Sequence, residues 1–196
     1  MKTYATGNKA ASRDETVVSI YRKAFDVEAL PAGKQFWTLC ARDDELLHLT
    51  SDGFLTEHQY HGIDFSQENI DANRAGHPDA NWHCGDFYTV LSNQVGAPGF
   101  NPAIVNFDST WMDRAITETI RLLALLESQE NLMLVSNIVG KTRGYSLDPD
   151  EMDLRLTDSR GWERAQALGW DKHPEWYVYK GGAANTTMQT HIFYRR

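Results

Sequence analysis

Apolar positions along the chain recur with two spacings, three to four residues in some stretches and two in others, and the stretches alternate. Val17, Val18, Ile20, Tyr21, Ala24 and Phe25 share one helical face, with Ser12 or Asp14 available as a cap and Pro31-Ala32-Gly33 as a stop, which predicts a leading helix. Residues 1–12 lack either period, so a loose N-terminus over 1–13 is expected ahead of a single domain over 14–196. Residues 34–41 read as a strand, 43–54 as a helix and 59–64 as a second strand. Ser66 then caps a helix through Arg74, with Asn69 at its third position and Gly76 and Pro78 ending it. Residues 80–86 read as a third strand, 87–92 as a short helix, 102–107 as a fourth strand and 131–136 as a fifth. Between the last two lies the longest helix, 110–128, apolar nearly all round over 120–126 and therefore expected to be deeply buried.

Strands separated by helices of this length must pair in parallel through right-handed crossovers, giving an α/β fold: a three-layer, doubly wound sheet. The rhythm breaks at the end. A helix over 160–168 is followed by two strands, 176–180 and 188–194, with too few residues between them for a helix, so they form an antiparallel hairpin at a sheet edge. The polar segment 139–158 is expected to be a surface loop or a lid.

Composition narrows the picture without naming a function. With 41% hydrophobic and 23% charged residues in 196, the chain is expected to fold as an ordinary globular protein. A balance of 19 Lys plus Arg against 27 Asp plus Glu, net −8, argues against a broadly basic nucleic-acid or membrane-surface binder. Cys40 and Cys84 are too few for a disulfide framework, and each lies in an apolar run where a buried free thiol is expected. Without a signal-like start or a stretch of roughly 20 apolar residues, a cytoplasmic location is expected.

In an open α/β sheet, ligands bind beyond the carboxyl ends of the strands. Here the second strand ends in Asp64, the third in Asp86, and the fourth in Asn106 and Asp108. The two oxygens of Asp64 match a vicinal diol such as that of a ribose, while the same position also suits capping of the next helix. Asp86 is placed either to accept the amino hydrogens of an adenine, with the Phe87 backbone N–H facing a ring nitrogen, or to cap the helix starting at Phe87. His58, His61, His77, His83 and Cys84 invite a metal reading, but their spacing fits no closed zinc site, and His83 and Cys84, adjacent on a strand, point to opposite faces. No metal is expected, and no P-loop or Gly-x-Ser-x-Gly elbow is present.

Gly62-Ile63-Asp64, the helix 68–73 behind it, Gly85-Asp86-Phe87, and Ile104-Val105-Asn106-Phe107-Asp108 together resemble class I S-adenosylmethionine-dependent methyltransferases, and the order of elements extends the likeness over most of the chain. The resemblance implies a Rossmann-like sheet of seven strands in the order 3-2-1-4-5-7-6, the last strand antiparallel, with S-adenosylmethionine lying across strands one to three. Carried over residue by residue, it implies cofactor contacts from Thr38, Cys40 and Ala41 in the first turn, ribose binding by Asp64, adenine recognition by Asp86, and apolar contact from Phe65 or Phe87. It also implies acceptor handling by Asn106 and Asp108, and substrate contacts from Ser109 and Trp111. Two departures stand out. No glycine occurs between Gly33 and Gly53, where the family has a glycine-rich turn, and Asn106-Phe107-Asp108-Ser109 lacks the two prolines found in amino-group methyltransferases acting on nucleic-acid bases. The expected function is therefore methyl transfer to an unidentified acceptor, small or macromolecular, with nucleic acid disfavoured and no membrane partner, by a monomer or homodimer. The alternative is a methyltransferase-like protein that binds the cofactor without catalysis.

Overall fold

A computed structural model describes residues 2–4, 9–39, 43–109, 112–142, 145–146, 154–175, 177–180 and 187–196. Along the chain these form β1 (Lys2–Tyr4), α1 (Lys9–Phe25), β2 (Gln35–Leu39), α2 (Asp43–Ser51), β3 (Tyr60–Asp64), α3 (Gln67–Gly76), β4 (Asn81–Cys84), α4 (Phe87–Gln94) and β5 (Pro102–Ser109). They continue with α5 (Met112–Leu125), β6 (Leu132–Thr142), β7 (Tyr145–Ser146), α6 (Arg160–Ala167), β8 (Asp171–Lys172), β9 (Tyr177–Lys180) and β10 (Thr187–Arg195). Two compact units divide them, Ala10–Phe107 on one side and Met1–Lys9 with Asp108–Arg196 on the other.

In the first unit β2 is flanked by β3 and β5, all parallel, and β4 adds in parallel beyond β3. Phe36 pairs with Tyr60 and with Ile104, and Thr38 with Gly62 and Asn106, so these side chains share one face of the sheet. Trp37, His61, Ile63, His83 and Val105 share the other. The apolar stripes pack as the pattern requires: Phe36, Leu46, Leu49, Phe54, Tyr60, Ile63, Ile70 and Ile104 are all buried. Ser66 caps α3 by accepting the Asn69 N–H at 3.3 Å, as the sequence predicts.

In the second unit β10 pairs antiparallel with β6 along most of its length and with β9 in the expected hairpin. β8 adds a short antiparallel pairing to β10. The fold is the predicted one: leaving aside β1 and the two-residue strands β7 and β8, the sheet runs in the order 3-2-1-4-5-7-6 with the last strand antiparallel.

Two segments differ from expectation. Residues 2–4 are not loose but form β1, parallel to β9, and helix α1 begins already at Lys9. Part of the polar segment expected as a loop is sheet, since β6 continues to Thr142 and returns through β7; its paired backbone outweighs its polarity. Segment 147–153 lies outside the described residues.

The helix–helix contact of this unit yields a first prediction. A methyl group on Gly161 of α6 would overlap Ile120 Cγ2 of α5. Gly161→Ala is therefore expected to destabilise by about 1–3 kcal/mol despite the better helix propensity of alanine, as read from urea denaturation. A gain in stability would show that α5 and α6 separate freely.

Candidate functional site

The carboxyl ends of β3 and β4 lie side by side, Asp64 opposite Cys84, and the Gly85 N–H donates to the Asp64 carbonyl at 2.9 Å. Gly85 has φ +148°, in the range that favours glycine, and a Cβ there would sit 3.2 Å from Val90. The turn after β4 is thereby held against the end of β3, and Asp64 and Asp86 project from neighbouring strand ends.

Asp86 does the capping work that the sequence allowed, whereas α3 is capped by Ser66 and Asp64 braces the turn that leads into it. Asp64 Oδ1 accepts the Ser66 N–H at 2.7 Å and its Oδ2 lies 3.4 Å from Asn69 Nδ2. Asp86 is the N-cap of α4, its Oδ1 accepting the Thr89 N–H at 2.9 Å and the Thr89 hydroxyl at 3.0 Å. Each carboxylate is fixed by a bond to a backbone N–H. A carboxylate has lone pairs for about four donors, so that bond is compatible with ligand binding. Phe65, next to Asp64, is 67% exposed, an unusual placement for a large aromatic ring. Phe87 by contrast is buried against Phe107, ring centroids 5.3 Å apart, so its ring packs the core and its backbone opens α4. Cys84, expected to be buried, is exposed, and its Sγ lies 3.5 Å from the Phe65 carbonyl. The apolar run that suggested burial ends with β4, and the thiol falls at its rim.

A second cluster lies at the ends of β2 and β5. Glu45, in the first turn of α2, is only 2% exposed. Its Oε2 accepts the Tyr60 hydroxyl at 2.8 Å and its Oε1 accepts Asn106 Nδ2 at 3.2 Å. Asn106 Nδ2 also lies 3.4 Å from Thr38 Oγ1, and the Thr38 hydroxyl is 3.4 Å from Glu45 Oε1 and 3.2 Å from the Leu39 carbonyl, between which it shares one proton. The positive end of the α2 dipole favours a carboxylate in this turn. The predicted residues Thr38 and Asn106 are thus brought together, and the amide hydrogens of Asn106 point at Glu45 and Thr38. Glu45 and Tyr60 escaped the sequence reading. One signal was there: Glu45 precedes Leu49 by one helical turn, placing a carboxylate on the apolar stripe of α2.

On the opposite face of the same strands, His61 Nδ1 and His83 Nε2 are 3.2 Å apart with ring planes only 9° from parallel. The buried Trp37 indole stacks on both, at 4.1 Å from His61 and 5.0 Å from His83. Burial, then the neighbouring His83, lowers the His61 pKa to about 3; burial, then the Arg74 guanidinium, lowers that of His83. With the facing nitrogens that close, one N–H bridges the pair.

The remaining predicted residues are placed less fully. Asp108 and Ser109 end β5, Asp108 half-buried. Cys40, Ala41 and Trp111 lie outside the described residues.

No protein-family model and no curated protein sequence matches the chain. Solved structures do. The magnesium protoporphyrin IX methyltransferase of Synechocystis, with SAH bound, aligns with 95% of this chain and 83% of its own at TM-score 0.54 and 11% identity. The sugar N-methyltransferase KedS8 from Streptoalloteichus aligns with 97% and 90% at TM-score 0.55 and 13% identity. The plantazolicin methyltransferase BamL, solved with a triazolic analogue and SAH, aligns with 96% and 85% at TM-score 0.56 and 13% identity. At such identities the likeness is one of fold, and the fold is that of the class I S-adenosylmethionine-dependent methyltransferases.

Proposed function

We propose that the chain binds S-adenosylmethionine across the carboxyl ends of β2, β3 and β4 and transfers its methyl group to a small acceptor bearing a hydroxyl or amine. The observation that carries this reading is the pair Asp64 and Asp86, each anchored by a backbone N–H at adjacent strand ends, in a fold whose solved examples include proteins crystallised with SAM or SAH. The residues fit the nucleoside half. Asp64 would take the ribose diol, Asp86 the adenine amino group, and the exposed Phe65 ring would lie against the purine, losing the water that now contacts it. Phe87 contributes its backbone and the packing beneath.

When bound, the cofactor supplies an activated methyl group. The chain's share is positioning the acceptor in line with the bond to be broken. Asp108, at the end of β5, is the candidate to orient the acceptor or take up its proton, with Ser109 beside it. Net −8 and the clustered carboxylates favour a neutral or amine-bearing acceptor over a polyanion.

Calorimetric titration with SAM and SAH tests the reading, and Asp64→Ala should weaken both by about 10- to 100-fold, the cost of losing hydrogen bonds to a charged group. Absence of binding by the unaltered protein at millimolar ligand would remove it. One observation favours cofactor binding without transfer: Asn106 is 2% exposed, with its amide hydrogens directed inward. Single-turnover assays with a panel of amines and alcohols separate the two readings.

A further inference from the structure

We infer that Glu45 is a positioning residue for the amino-acid half of the cofactor, an inference that rests on the functional reading above. Its buried carboxylate joins α2, β2, β3 and β5 at the point where that half would lie.

A nucleoside fixed at the ends of β3 and β4 sends the rest of an extended molecule across the sheet. Strands are about 4.8 Å apart, so the step from β4 to β2 covers about 10 Å. That brings the amino-acid half to the end of β2 and the first turn of α2, the place of Thr38 and Glu45. A backbone can approach a ligand closely there when glycines remove the Cβ atoms. Between Gly33 and Gly53 this chain has none, so Cβ atoms keep the backbone back and the placing of side chains at the strand end and helix start governs the fit.

Glu45 is built to hold them. It takes the Tyr60 hydroxyl at 2.8 Å on one oxygen and Asn106 Nδ2 at 3.2 Å on the other. Thr38, seven residues earlier across the turn, stands 3.4 Å from the second oxygen. In a buried site, out of reach of water, such hydrogen bonds are stronger than at the surface. Tyr60 itself is fixed, its ring stacked on Phe36 at 5.9 Å with planes 10° apart. The start of α2 is thereby tied to three strands through one carboxylate. Asp64 and Asp86 are held by other groups, the N–H of Ser66 and that of Thr89.

This separation defines the test. Binding of SAH, which carries the amino-acid half, is compared by calorimetry with binding of 5′-methylthioadenosine, which carries only the nucleoside. For Glu45→Ala, SAH is expected to weaken by about tenfold or more while 5′-methylthioadenosine stays within about twofold. Tyr60→Phe keeps the stacked ring and loses one donor, so a smaller split of about threefold is expected. Glu45→Gln retains one acceptor and should fall between the wild type and Glu45→Ala. If Glu45→Ala fails to fold, the Tyr60→Phe split decides. Equal weakening of both ligands, or no weakening of SAH, overturns the inference alone. Failure of the unaltered protein to bind either ligand overturns the functional reading, and the inference with it.

Discussion

Acidification is expected to destabilise the first unit steeply, beginning near pH 6.5 and continuing toward pH 3. The folded state holds the His61 pKa at about 3, against 6.5 for a histidine in water. Between those values the unfolded chain takes up a proton that the folded chain refuses, so unfolding gains free energy as pH falls. The stabilisation is therefore complete above about pH 6.5, declines through the window and is gone near pH 3. At 1.36 kcal/mol per pKa unit, the loss is about 2–3 kcal/mol by pH 4.5 and about 4–5 kcal/mol by pH 3. His83 acts in the same direction, since burial and Arg74 lower its pKa as well. Urea denaturation midpoints at several pH values measure the slope, and His61→Phe, which retains a ring under Trp37, should flatten it. An unchanged slope in that variant would assign the acid sensitivity to other groups.

Trp37→Ala should cost about 3–5 kcal/mol, the range for removing a large aromatic from a packed core. The indole is 1% exposed, stacks on both imidazoles, meets the edge of Phe100 at 5.6 Å and donates its N–H to Gln35 at 3.1 Å. Trp37→Phe should lose less, because the ring contact survives and the hydrogen bond does not. The truncation has a second effect that a simple cavity would not show. Space beside the imidazoles admits water, which restores the hydration that burial removed and raises the His61 pKa toward its ordinary value. The Trp37→Ala protein should therefore be less stable at neutral pH yet lose less on acidification. Denaturation at two pH values reads both changes, and a loss below about 1 kcal/mol would show that the three rings are not a packed unit.

The elements legible in the sequence were those whose cause is local. Ser66 caps α3 and Asp86 caps α4 through bonds spanning three residues. Asp64 and Asp86 were found because alternation and turn residues locate strand ends, and strand ends are where a doubly wound sheet presents its chemistry. What the sequence hid depends on register between distant strands. His61 lies opposite Asn81, and His83 opposite Ile63, so the two imidazoles meet on a diagonal visible only once β3 and β4 are aligned. Glu45 was hidden for the same reason, its donors arriving from β3 and β5, 15 and 61 residues away. Strand β1 is too short for any period to show.

That strand has a consequence for how the chain is made. Lys2 pairs with Tyr177, 175 positions later. A ribosome delivers residues in order, so β1 is made well before the strand it pairs with. Until β9 emerges, three residues with unsatisfied backbone groups have only water to bond. Their pairing closes a loop of 175 positions and belongs among the slowest contacts to form. A strand made this long before its partner is thus a strand that settles late.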